Sequence, residues 1–549
     1  MTASTLACIR ALAGAIAIGA ASLAGAQAPL FDGMGDHTRA VSTDDELAQR
    51  YFDQGLVWMY AFNHDEAIRS FTEAARLDPN LAVAWWGVAL CHGPHINFPM
   101  VPPDRAKAAW DALQKAVALI DHASPVEADL IRALEHRYAM PQPEDRSELD
   151  IAYASAMYDL YRKYPDDLDI GTMAVEALMD LQPWDLWNDD GTPKGRTNHI
   201  IDMLEGIRAK NPDHPGANHL YIHCVEASPD PYRGLDAADR LRAAVPAAGH
   251  LLHMPSHIDV QTGRWPQATI ANERAQVADT AYRKISGTQG LWAMYMAHND
   301  HMRAFANMMQ GRSADSIDAA QAMVAAVPDE FIRESGVFVD PYMGVVFEVQ
   351  MRFGKWDDIL AYPEPPAELP ITRALWRYTR AVAYAAKGEI SNAEAERARF
   401  HEACAEVPED AIMGINPAAK ILIIAGHMLE GEIHLAQGDL DASIEELRKA
   451  VAVEDTLMYM EPPDWIQPVR HTLGAVLAKA ERWEEAEAVH RKDLEHWPEN
   501  GWSLYGVANA LEKQGKTADA APYRERFEAA WSNADITIGT TCACVEAFR

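Results

Sequence analysis

Apolar and small residues recur along this chain at helical spacing, and one arrangement repeats. Ala67, Phe71 and Ala74 are followed by Pro79, giving offsets of 0, 4, 7 and 12. The same offsets return at Gly234, Ala238, Leu241 and Pro246, at Ser316, Ala320, Met323 and Pro328, and at Ala486, His490, Asp493 and Pro498. Two further copies lack the proline: Ala268, Asn272 and Ala275, and Ser443, Leu447 and Ala450. Positions 0, 4 and 7 fall on one face of a helix. A small residue there lets a second helix approach closely, and the proline ends the helix. Each copy is preceded by a turn containing Gly, Asn, Asp or Pro, and before that by another apolar helical pattern. Alternating valine-rich runs, the mark of strands, hardly occur. The expectation is an all-α fold of helix hairpins stacked into a superhelix.

This motif resembles the second helix of the tetratricopeptide repeat, over about two-thirds of the chain. The resemblance implies a right-handed α-solenoid with first helices lining a concave face. Spacing is irregular, so insertions interrupt the array. The proline-rich Tyr362 to Pro370 is expected to part an N-terminal block (27–361) from a C-terminal block (371–531), with a tail over 532–549. A second interruption, Met460 to Pro468, lies inside the C-terminal block.

Histidine changes the picture. Seven of 21 histidines fall between residues 219 and 301, where even scatter would place about three. N-H-L-Y-I-H-C-V-E supplies His219, His223 and Glu226; G-H-L-L-H-M-P-S-H supplies His250, His253 and His257; H-N-D-H supplies His298 and His301. Spacings of three, four and seven put the ligands of each stretch on one helix face. Each stretch precedes a second helix, beginning near Pro231, Trp265 and Ser313. All three therefore read as first helices, from which side chains can converge on a shared ion. Imidazole is a common ligand for copper, zinc and iron. Pro255 is expected to bend the second stretch or to start its helix near Met254, leaving His250 and His253 on an approach loop.

The number of histidines suggests one or two ions. Paired H-x3-H helices resemble, in ligand geometry alone, the way dicopper proteins supply three imidazoles per copper. Copper is favoured, then iron or zinc. Glu226 keeps hydrolysis open, because a carboxylate beside a metal can shuttle the proton of bound water. Neither H-E-x-x-H nor a nucleophile elbow occurs. His95, Glu176, Asp180 and Trp184 are candidates for a surrounding shell or substrate wall. Glu461, Arg470 and His471 form an aromatic, charged insertion that could cover the groove. Cys542-x-Cys544 could hold a soft metal or pair with another cysteine.

The N-H-L-Y-I-H-C-V-E-A-S and A-G-H-L-L-H-M-P-S-H-I segments, with A-F-N-H-D-E-A-I-R-S-F and E-P-P-D-W, resemble a group of exported bacterial tetratricopeptide proteins. That resemblance implies one integrated protein and transfers no catalytic residue. Export is also read from the N-terminus: Arg10, an apolar run from Ala11 to Leu23, and Ala24-Gly25-Ala26 make a cleavable leader ending at Ala26, hence a periplasmic or secreted protein. No later stretch is apolar enough to span a membrane. With 48 Lys and Arg against 81 Asp and Glu, the net charge of −33 argues against binding a phosphate backbone. The expected reading is a metalloprotein, leaning to a redox enzyme acting on a small molecule. A metal-dependent hydrolase and a non-catalytic peptide-binding or metal-binding scaffold are the alternatives.

Overall fold

The first repeat shows why small residues are spaced as they are. Helix Glu46–Tyr60 is capped by the Asp45 carboxylate, which accepts from the Leu47 and Ala48 amides. The next helix, His64–Leu77, is capped by Asn63, which accepts from the Glu66 amide. Ala82–Cys91 follows. Phe71 of the middle helix is fully buried, and Gly55 and Gly87 lie on either side of its ring. A Cβ at either glycine would stand 2.7 Å from that ring. Close helix approach is thus set by three residues: one large and two absent side chains.

The computed structural model describes residues 28–548, apart from Asp189 and residues 287–291; the expected leader lies outside the described residues. The chain is all-α. Among the described residues the strands are one short antiparallel pair, Ile412–Met413 with Asn416–Pro417. Helix hairpins follow one another as the periodicity predicts. Leu235–Ala244 carries the Ala238 and Leu241 copy of the motif, and Trp265–Ser286, Ser313–Ala325, Leu440–Glu454 and Trp483–His496 carry the others. Gly438 ends Ala418–Gln437 in the left-handed conformation at φ 83°, which a glycine adopts without cost.

The chain forms two compact units. One comprises residues 28–258 with Glu273–Met296; the other comprises Asp259–Asn272 with residues 297–548. The division does not fall at the proline-rich segment. Tyr362 packs edge-on against Phe347 at 5.5 Å, and Leu369 is buried, so Tyr362 to Pro370 lies within the second unit. Prolines there end helices without parting the core. The C-terminal tail belongs to that unit too: the Phe548 ring meets Trp502 at 5.3 Å, and Thr541 and Cys542 are buried.

The first unit is centred on Tyr51, Phe52, Trp58, Phe71 and Trp86. In it, helix Glu46–Tyr60 packs against helix Pro215–Val225. The second unit has cores around Phe347 and Tyr378 and around Trp265, Phe305 and Trp502. No helix among the described residues is long and apolar enough to cross a membrane.

Candidate metal centre

Helix Pro215–Val225 carries His219 and His223, and all its residues are buried. Pro215 occupies the first turn, where no amide donor is needed, and His214 caps the end by accepting from the Ala217 amide. The second stretch forms two helices. Gly249–His253 holds His250 and His253, and Pro255 opens Pro255–Gln261, which holds His257. The break falls where Pro255 predicts it. His250 and His253 lie on a helical turn of their own rather than on a loop.

Five hydrogen-bonding contacts order these imidazoles. His219 Nδ1 lies 2.6 Å from the carbonyl oxygen of Tyr60. His223 Nδ1 lies 3.1 Å from Glu226 Oε1, and His257 Nδ1 lies 2.7 Å from Glu226 Oε2. His219 Nε2 faces His223 Nε2 at 3.1 Å, and His253 Nε2 faces His257 Nε2 at 2.8 Å. A carbonyl can only accept, so His219 Nδ1 must carry its proton. An ionised Glu226 also only accepts, so His223 and His257 carry theirs on Nδ1 as well. Burial by itself would raise the Glu226 pKa, but His257 and His223 outweigh it and hold the carboxyl well below its ordinary range. Where these rings are neutral, their three Nε2 atoms are left as lone pairs. Two of them, on His219 and His223, point at each other across 3.1 Å. Two such lone pairs repel each other unless a proton or a metal ion lies between them. Imidazoles on one tetrahedral zinc-sized ion stand roughly 3.3 Å apart, nitrogen to nitrogen.

His250 completes the set. Its ring is 4.9 Å from that of His219, and both of its nitrogens are buried without a hydrogen-bond partner. Burial, with a smaller contribution from His219, pushes its pKa far down, so the ring is neutral and able to ligate. Burial and then His223 do the same for His219. Ligand atoms of His219, His223 and His250 all lie within 4.8 Å of one another. This buried trio could hold a metal ion, and the donor chemistry fits.

Two other groupings in the unit differ in kind. In His223–Glu226–His257 the carboxylate is engaged by N–H donors, which makes it the group that orients two imidazoles. In His37–Asp169–His214 the carboxylate is saturated. Asp169 Oδ1 takes His37 at 2.9 Å, His214 at 3.2 Å and the Tyr60 hydroxyl at 2.6 Å, while Oδ2 takes Arg39 at 3.2 Å. Tyr60 therefore ties this knot to the centre: its hydroxyl is held by Asp169, and its carbonyl holds His219.

Aromatic rings surround the trio. Phe62 sits at φ 59°, a left-handed conformation costly for a non-glycine residue, with its ring 4.5 Å from His219, 4.7 Å from His95 and 5.8 Å from His250. Trp184, at φ 60°, meets His223 edge-on at 5.2 Å. Tyr295 lies 4.3 Å from His250. Of the expected shell residues, Trp184 touches His223 and His95 touches Phe62. Glu176 and Asp180 are half-buried; loss of solvent raises them to about 8 and about 7, and Asp180 pairs with Arg137 at 2.6 Å. Sequence reasoning passed over Tyr60, because it acts through a backbone carbonyl that leaves no mark on residue type. Phe62 lies in the A-F-N-H-D-E-A-I-R-S-F segment, but nothing in its type announces a left-handed backbone.

The other expected residues belong to the second unit. His298 and His301 are on helix Trp292–Met309, and the His301 ring rests against Tyr342 at 5.9 Å. Glu461 accepts from Gln261 at 3.2 Å, Arg470 pairs with Asp455 at 2.7 Å, and His471 is fully buried, 2.9 Å from Asp493. His471 thus works inside a helical core rather than in a covering loop.

No family model matches the sequence, and no curated protein is similar to it. Solved structures are similar in helical architecture only. Human IFIT1, solved as a dimer with PPP-AAAA, shares 12% identity over 89% of this chain and 91% of its own, at a TM-score of 0.32. Cut9, from the APC/C hetero-tetramer Cut9-Hcn1, shares 12% over 88% of this chain and 74% of its own, at 0.30. Likeness at that level carries nothing about function.

Proposed function

We propose that this chain is a metalloprotein built on His219, His223 and His250, with His253 and His257 offering a second position, and that it is a metal-dependent oxidoreductase acting on a small molecule. One observation carries the reading: His219 and His223 both turn Nδ1 to fixed acceptors, so their Nε2 atoms face each other at 3.1 Å beside a His250 that has no partner. Nitrogen-only donors favour copper, then iron or zinc. Cys224 is no competitor, since burial pushes its thiol pKa above the ordinary range and its sulfur lies 3.6 Å from Met179. A bound copper or iron would supply one-electron chemistry. The chain's own residues hold and orient: Tyr60 and Glu226 fix three imidazole tautomers, and Phe62, Trp184 and Tyr295 give a small molecule an aromatic wall.

Glu226 is assigned to orientation rather than to proton transfer. Both of its oxygens are taken up by imidazole N–H groups, which weighs against the hydrolytic reading. The acidic net charge supports the absence of a nucleic-acid partner, and the leader-like N-terminus supports export.

Metal content of untagged protein tests the proposal. We expect about one or two equivalents of a transition metal, lost in a His219→Ala/His250→Ala variant whose helical signal is intact. Less than about 0.2 equivalents, unchanged on reconstitution, would overturn it. A new near-ultraviolet band on exposure of the loaded protein to oxygen would support copper and redox chemistry; a colourless zinc protein would refute the oxidoreductase assignment.

A further inference from the structure

The C-terminal tail holds a second chemical feature, independent of the metal reading. Cys542 and Cys544 are joined by a disulfide. Closing so small a loop removes little entropy from the unfolded chain, so the bond contributes little as a staple. The tail is already fixed by other means. Thr541 Oγ1 donates to the His471 carbonyl at 2.7 Å, and Arg352 Nη1 donates to the Thr541 carbonyl at 3.2 Å.

The two sulfurs have unequal surroundings. Cys544 is half-exposed, whereas Cys542 is buried and surrounded by donors. The Cys544 amide lies 3.2 Å from Cys542 Sγ, the Thr472 hydroxyl donates to it from 3.7 Å, and Glu432 Oε1 lies 3.9 Å away. A disulfide sulfur has no proton to give, so Glu432 bonds to it only as the protonated acid. Burial favours that form by pushing the Glu432 carboxyl up to about 8. Donors gathered on one sulfur are what a departing thiolate requires.

We infer that Cys542–Cys544 is a thiol–disulfide exchange site that oxidises a dithiol, with Cys544 as the attacked sulfur, Cys542 as the leaving sulfur and Glu432 as its proton donor. A partner thiolate attacks Cys544 Sγ. The new partner–Cys544 bond forms as the Cys542–Cys544 bond breaks, and its electron pair goes to Cys542, which takes the Glu432 proton. The partner's second thiolate then attacks its own bonded sulfur and releases Cys544 as a thiolate that picks up a proton from water. The partner leaves as a disulfide, oxidised by two electrons, and this chain is left as the dithiol. The same steps run backwards with a partner disulfide.

The test uses the full chain, dithiothreitol and glutathione disulfide, with alkylation and peptide mass mapping. Dithiothreitol should reduce the bond with the helical signal unchanged. Cys542→Ser should take up glutathione at Cys544, and Cys544→Ser should do so at Cys542 slower by about tenfold or more. Glu432→Gln should slow reduction of the otherwise intact pair by about tenfold or more. Reduction that occurs only as the helices melt, equal reactivity of the two serine variants, or an unchanged rate in Glu432→Gln would each overturn the assignment.

Discussion

Glu226 does the work of two residues, since each of its oxygens fixes a different imidazole. Glutamine has nearly the same shape but only one carbonyl oxygen, and its amide would present N–H to one of the two Nδ1–H groups. Glu226→Gln should therefore release either His223 or His257 from its tautomer and weaken metal binding by about 10–100-fold. Competition with a chromophoric chelator measures this. Unaltered affinity would show that the carboxylate is a bystander. His301→Ala serves as the comparison, and it should bind metal as the wild type does because the His301 ring is accounted for by Tyr342.

At the scale of elements, the centre depends on how closely helix Pro215–Val225 approaches the end of helix Glu46–Tyr60. Gly216 sets that approach: a Cβ there would stand 2.4 Å from the Tyr60 ring. The ring cannot yield freely, because its hydroxyl is held by Asp169 and its carbonyl holds His219. Gly216→Ala should cost about 1–3 kcal/mol in thermal unfolding and loosen metal binding as well. Gly206, exposed on helix Thr197–Lys210, has nothing within 4 Å of its would-be Cβ, so Gly206→Ala should be neutral or stabilising by up to about 1 kcal/mol. Equal responses from the two variants would rule out the packing account.

At the scale of the whole molecule, two linkages are expected. Metal that binds only the folded chain raises its stability by mass action. The thermal midpoint should rise with metal in the wild type and stay level in His219→Ala/His250→Ala; equal shifts would place the metal elsewhere. The second linkage is to pH. Glu348 is buried, and burial raises its carboxyl to about 8. The unfolded chain loses that proton near the ordinary carboxylate value, so between there and about pH 8 the folded state binds more protons, and stability falls as pH rises. Glu348→Gln should raise the midpoint near pH 8, leave it little changed near pH 5, and flatten the decline. Parallel curves for wild type and variant would refute this.

The helices, their small-residue contacts and the placement of His219, His223 and His257 on helices were legible in the sequence, whereas His250 and His253 turned out to have a short helix of their own. Periodicity is local: three to four residues bring the next turn onto the same face, and a proline or glycine ends it. The sequence did not show which faces meet. Tyr60 reaches His219 across 159 positions, and Glu226 reaches His257 across 31. The proline-rich segment looked like a boundary because prolines interrupt helices, yet Tyr362 and Leu369 pack into the core on their own account. The sequence by itself therefore determined the all-α hairpins and the supply of imidazoles. Only the tertiary structure decided which ring nitrogens carry protons, because that depends on acceptors brought from distant parts of the chain, and with it which lone pairs are left to converge.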